Sequence, residues 1–155
     1  MNKTADPLVA DLKVLVVDDN LEICKLIKRA LQDMGVRWFS VVHSGDEALK
    51  LLGARDEKSA FDLILCDWNM SGMSGLDVLK HVRLRYPEMP FIMISGNIDE
   101  EFVETAKKNG VTAYIGKPFA PATLHKKISV VAQMLAKRQD ISALVSAHLG
   151  KEPAN

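Results

Sequence analysis

Val14-Leu15-Val16-Val17-Asp18-Asp19-Asn20 is a short apolar run that stops abruptly at three polar residues. An unbroken run of this length, rich in β-branched side chains, predicts a strand buried on both faces. Ile23, Leu26, Ile27, Ala30, Leu31 and Met34 follow at helical spacing, with Lys25, Lys28, Arg29 and Asp33 between them and Gly35 as a stop. A buried strand, a polar break and an amphipathic helix form one unit of a repeating pattern.

The unit recurs along the chain. Val36 to Val42 reads as a second strand, placed at an edge by Arg37, Trp38 and Ser40. Ser44 and Glu47 fit a capping box that opens a helix through Ala48, Leu49, Leu51 and Leu52. Leu63 to Cys66 is a third strand, closed by Asp67; Asn69 to Gly75 is a loop by its serines and glycines. Leu76, Leu79, His81, Val82 and Leu84 lie on a helix ended by Pro87. Phe91 to Ile94 is a fourth strand, closed by Ser95 and Gly96, and a helix through Phe102, Val103 and Ala106 stops at Gly110. Val111 to Ile115 reads as a fifth strand, and Leu124, Ile128, Val131 and Leu135 as a last helix. Such alternation predicts an α/β fold, a doubly wound parallel sheet whose right-handed crossovers put helices on both faces. The domain is expected over 11–137. Gln139 onward is the only linker candidate, and 138–155 is expected to be a helical extension or tail. Ile141, Leu144, Val145, His148 and Leu149 in it share helical spacing, and Lys151 to Asn155 is expected to fray.

Composition narrows the function. Among 155 residues, 20 Lys plus Arg balance 20 Asp plus Glu. That neutrality argues against a nucleic-acid binder or a polybasic membrane-surface protein. Cys24 and Cys66 form no CxxC pair and exclude a disulfide framework. No apolar run approaches the roughly 20 residues that span a bilayer, and the start of the chain lacks the apolar core of a signal peptide. The expectation is a cytoplasmic protein.

In open parallel sheets ligands bind beyond the carboxyl ends of the strands. Those positions hold Asp18 and Asp19, Asp67, Ser95, and Lys117. Any one of them alone is an ordinary turn or capping residue. Together they form an acid pair, an acid, a hydroxyl and a lysine on four strand ends. Three converging carboxylates repel unless a cation compensates. Mg²⁺ prefers such oxygen ligands, and Lys117 adds a fixed charge. The set suits phosphoryl transfer, with a carboxylate as the nucleophile that becomes an aspartyl phosphate.

Val16-Val-Asp-Asp-Asn20, Cys66-Asp-Trp-Asn-Met-Ser-Gly-Met-Ser-Gly-Leu-Asp77, Ile94-Ser-Gly96 and Tyr114-Ile-Gly-Lys-Pro-Phe119 carry a resemblance. Over roughly residues 11–137 the chain resembles the response-regulator receiver domain of two-component signalling, most closely its single-domain chemotaxis type. The resemblance implies a flavodoxin-like fold with strand order 2-1-3-4-5. It implies Asp67 as phosphoacceptor and Asp19 as a direct Mg²⁺ ligand, with Asp18 as its partner and Asn69 giving its backbone carbonyl. It also implies Lys117 as the residue that pairs with Asp67 and then the phosphoryl group, Ser95 as switch hydroxyl and Tyr114 as switch aromatic. The Lys117–Pro118 bond is expected to be cis. Ser71 stands where proline is usual, a departure expected to loosen the loop without touching a catalytic group.

The implied partners are a histidine kinase or histidine phosphotransfer protein as donor and an unknown protein as output target, reached through the fourth helix, fifth strand and fifth helix. At this length no DNA-binding or enzymatic output domain is expected, so output is expected to be protein binding. Three other readings stand beside this one: a receiver fragment of a longer regulator, a phosphorylation-independent scaffold, and an aspartyl phosphatase. The last wants an acid two residues after the nucleophile, where this chain has Asn69. Asn69 and Asn97 read equally as turn residues or as tuners of phosphoryl lifetime. His43, His81, His125 and His148 form no ligand pair and read as surface or partly buried residues.

Overall fold

A computed structural model describes residues 6–54 and 60–149. Its elements are β1 (Lys13–Val17), α1 (Leu21–Asp33), β2 (Trp38–Val42), α2 (Gly45–Ala54) and β3 (Leu63–Asp67). They continue with α3 (Gly75–Arg85), β4 (Phe91–Ser95), α4 (Glu100–Lys108), β5 (Ala113–Gly116) and α5 (Pro121–His148). All four strand pairings are parallel, in the order β2-β1-β3-β4-β5. This is the doubly wound α/β fold expected from the alternation, with the flavodoxin-like order.

The alternating pleat sends successive side chains of a strand to opposite faces. Val14, Val16, Leu63, Leu65, Ile92 and Ile94 pack with α1 and α5 in one core. Leu15, Val17, Ile64, Cys66, Phe91 and Met93 pack with α2, α3 and α4 in the other. β1, β3 and β4 lie inside the sheet with helices on both faces, hence their continuous apolar runs. β2 is an edge strand, with Trp38 exposed.

Two expected strands start later than expected. Val36 donates its N–H to the Leu31 carbonyl, and Gly35 donates to that of Gln32. Val111 and Gly110 repeat the pattern on Ala106 and Lys107. Gly35 and Gly110 have φ of 90° and 83°, so each valine closes a Schellman motif and belongs to the end of its helix. The helix expected around Phe102 is longer, beginning at Glu100 under an Asp99 cap. α5 crosses position 138 without a break and continues to His148, so Gln139 sits in helix and not in a linker. The stretch from Lys151 to Asn155 lies outside the described residues.

Candidate functional site

Register builds the site. Val17 lies opposite Cys66, so the next residues, Asp18 and Asp67, end adjacent strands. Asp67 then pairs with Ile94, and Ser95 with Gly116, one residue before Lys117. Four strand ends thus bring Asp18, Asp19, Asp67, Ser95 and Lys117 to one edge of the sheet. The Lys117 N–H donates to the Ser95 carbonyl at 2.8 Å, and the Lys117–Pro118 bond is cis.

Asp18 and Asp67 are buried, with 0% and 5% exposure. A buried carboxylate needs a counter-charge or hydrogen-bond donors. Lys117 Nζ supplies both, donating to Asp67 Oδ1 at 3.0 Å and to Asp18 Oδ2 at 3.2 Å. Asp18 Oδ1 also accepts from the Asn20 N–H at 2.8 Å. Burial pushes the Asp67 carboxyl above its ordinary range, the Lys117 hydrogen bond pulls it back, and the charge of Asp18 adds to the rise. Burial works to lower the Lys117 ammonium, but its bond to Asp67 and the nearby Asp18 charge outweigh that and leave it raised.

Asp19 is exposed, and its Oδ2 accepts from the Ser71 N–H at 3.0 Å. This corrects the expectation for Ser71: a proline has no N–H, so the departure touches a residue of the acidic cluster directly. Asn20 caps α1 by accepting from the Glu22 and Ile23 N–H groups, which fixes the turn that carries both acids.

The loop after Asp67 is held at both ends. The Trp68 N–H donates to the Ile94 carbonyl, and the Gly75 N–H to the Trp68 carbonyl. A Cβ on Gly75 would stand 2.2 Å from the Asp67 carbonyl oxygen, so only glycine permits that approach. Ser74 and Asp77 then form a capping box on α3, a pattern as readable in the sequence as the one at Ser44 and Glu47.

Ser95 is buried, and its hydroxyl accepts from the Asn97 N–H at 3.2 Å and donates to the Asn97 carbonyl. The Asn97 side chain donates to Asp99, whose other oxygen caps α4 at Phe102. Phe102 meets Trp68 edge-on at 4.6 Å and Tyr114 at 5.8 Å. Tyr114 is thus half-buried against α4. A cavity of about 340 Å³ opens beside this row, lined by Trp68, Asn69, Ser95, Asn97 and Asp99 among others. The roles of Asp99 and Phe102 escape a sequence reading because they depend on which loops meet. An aspartate three residues before a helical phenylalanine is the one available signal. His43 places Nδ1 3.1 Å from the Asp18 carbonyl oxygen, which also accepts from the Cys24 thiol. Burial raises the Cys24 thiol above its ordinary range, and the Asp18 charge adds to the rise.

Ligand atoms of Asp18, Asp19 and Asp67 all lie within 4.8 Å of one another. Three carboxylates against one ammonium leave a charge deficit, and Asp19 has no cation partner among the described residues. Hard oxygen donors with uncompensated negative charge fit Mg²⁺.

The family model for the response regulator receiver domain matches residues 14–129. The chain is similar to chemotaxis protein CheY-3 of Vibrio cholerae, 35% identical over 127 residues, which cover 81% of this chain and 95% of that protein. It is 39% identical to chemotaxis protein CheY1 of Helicobacter pylori over 122 residues, 77% of this chain and 96% of that one. Among solved structures, chemotaxis response regulator CheY4 of Vibrio cholerae superposes with a TM-score of 0.71 at 33% identity, covering 78% of this chain and 98% of that one.

Proposed function

The chain belongs to the response regulator receiver domain family, and from that premise we propose that it is a phosphorylation-activated switch with Asp67 as phosphoacceptor. The observation that carries the reading is Lys117, held between two buried carboxylates on neighbouring strands. Asp67 is the acid at that edge that both contacts the lysine and borders, through Trp68 and Asn69, the open cavity.

In the proposed step an Asp67 carboxylate oxygen attacks the phosphorus of a phosphohistidine on a histidine kinase or histidine phosphotransfer protein. The P–N bond breaks and the imidazole leaves, taking a proton. Attack of water on the aspartyl phosphate later resets the chain. Asp18, Asp19, Asp67 and the Asn69 carbonyl would hold Mg²⁺, which would supply charge neutralisation for the transferring group. Lys117 trades its bond to Asp67 Oδ1 for one to the phosphoryl group. Ser95 gives up its bonds to Asn97 and donates to a phosphoryl oxygen. Tyr114 follows, changing the surface of α4, β5 and α5. Lys117 and Ser95 meet the phosphoryl group only when it is present, and such a differential contact is what shifts a two-state equilibrium. Output is binding to a protein target in the cytoplasm, with neither nucleic acid nor membrane required. The chain acts as a switch and not as an enzyme on other molecules.

Incubation with acetyl phosphate and Mg²⁺ is expected to add one phosphoryl group by intact mass, and chelation of Mg²⁺ to prevent it. Asp67→Ala is expected to abolish the addition. Equal labelling of that variant overturns the assignment.

A further inference from the structure

The bond from the Ser71 N–H to Asp19 Oδ2 joins positions 52 residues apart in the chain. It ties the turn after β1, which carries Asp18 and Asp19, to the loop after β3, which carries Asn69 and follows directly on Asp67. Asp19 is the exposed member of the cluster, and Lys117 reaches only the other two. It is therefore the carboxylate with the most freedom to turn into solvent, and the Ser71 amide donates to its side chain. A carboxylate has two oxygens, so one can accept from an amide while the other faces a cation. Donors behind a metal ligand fix its orientation, and their loss typically costs about 10- to 100-fold in affinity.

We propose that the Ser71 backbone N–H is a positioning group for divalent-cation binding: it holds Asp19, and with it the Asn69-bearing loop, in place for the ion. The proposal rests on the metal reading above and adds to it a donor that belongs to the main chain. The side chain of residue 71 is exposed and takes no part, and any residue but proline supplies the group.

The side chain and the amide separate cleanly by substitution. With Mg²⁺ alone as titrant, calorimetry is expected to give Ser71→Ala an affinity within about twofold of the parent chain. Ser71→Pro is expected to bind about tenfold more weakly. Parent-like or tighter binding by Ser71→Pro overturns the proposal, and so does an equal loss in Ser71→Ala. An NMR measurement covers the case in which proline disturbs the loop. In the parent chain the Ser71 amide proton is expected to exchange slowly, and in Asp19→Ala at the rate of an open loop. Fast exchange in both overturns the proposal without any proline. Absence of Mg²⁺ binding by the parent chain, with the amide protected, overturns the metal reading and leaves the Asp19–Ser71 bond standing.

Discussion

The carboxyl edge of the sheet and the far half of α5 break the ordinary rule of burial in opposite directions. At the edge, charged Asp18 and Asp67 are buried. Along α5 beyond Arg138, Ile141, Leu144 and Val145 are all more than half exposed, as is the capping Leu149. At the edge burial is a matter of partners: register brings one ammonium within 3.2 Å of both carboxylates, and the Asn20 amide meets the other oxygen of Asp18. On α5 exposure is a matter of length. Its 28 residues span about 42 Å, against about 16 Å for a five-residue strand. Leu124, Ile128, Val131 and Ala132 lie over the sheet and are buried. Among the described residues, Arg138, bonded to the Glu88 carbonyl in the connection between α3 and β4, makes the last hydrogen bond from α5 to the rest of the domain. A helix that outruns its sheet has nothing left to cover.

The largest expected effect lies at the edge. Lys117→Met leaves Asp18 and Asp67 buried without their shared cation. Removing one side of a buried ion pair costs roughly 3–5 kcal/mol, because the remaining charge is uncompensated. Urea unfolding at neutral pH is expected to show a loss of that size, and a clearly smaller one when Asp67→Asn is already in place. A loss below about 1 kcal/mol in the single variant means that water, and not Lys117, compensates the two acids.

A smaller effect is expected where backbone meets backbone. Gly75→Ala forces a methyl group toward the Asp67 carbonyl oxygen, 2.2 Å from where its Cβ would stand. Neither partner is a flexible side-chain tip, so the strand end or the start of α3 must shift. Overpacking of this kind costs roughly 1–3 kcal/mol. The shift is centred on Asp67, the proposed phosphoacceptor, so labelling by acetyl phosphate is expected to slow as well. Unchanged stability with unchanged labelling shows that the Asp67–Gly75 approach is slack.

The two regions also differ in how far they can be read without coordinates. Asp18, Asp67, Ser95 and Lys117 each follow or close an apolar run, and parallel strands put their carboxyl ends together. Position in the chain therefore implies position in the site. The Ser71 donor carries no such mark, because a main-chain N–H looks the same in every residue but proline. Phe102 reads as one more helical apolar residue, since its contacts to Trp68 and Tyr114 depend on how a loop and two elements pack. Val36 and Val111 read as strand because they are apolar and lead into strands. The glycine before each turns the chain so that the valine N–H closes the preceding helix. In α5 the polar Gln139 suggests a linker, yet neither glycine nor proline interrupts the chain between Pro121 and Gly150. Local propensity then carries the helix onward.

The smallest expected effect tests the other side of the comparison, by making one substitution at two depths of one helix. Ile128 is fully buried and Ile141 is 54% exposed. Ile128→Ala removes buried methyl groups and leaves a cavity between α5 and the sheet, a change that costs roughly 2–5 kcal/mol. Ile141→Ala removes methyl groups that already face water, so no cavity forms and little transfer energy is lost. Alanine is also the better helix former, by at most about 0.7 kcal/mol. The expected change at Ile141 is therefore within about 0.5 kcal/mol and of stabilising sign. Both variants are unfolded in urea at a low and a high protein concentration. Concentration matters because association with a second chain stabilises by mass action, whereas a solvated helix end does not respond. A loss above about 1 kcal/mol for Ile141→Ala that grows with concentration means that another copy of the chain covers the far half of α5. A similar loss independent of concentration means that the far half packs on its own domain.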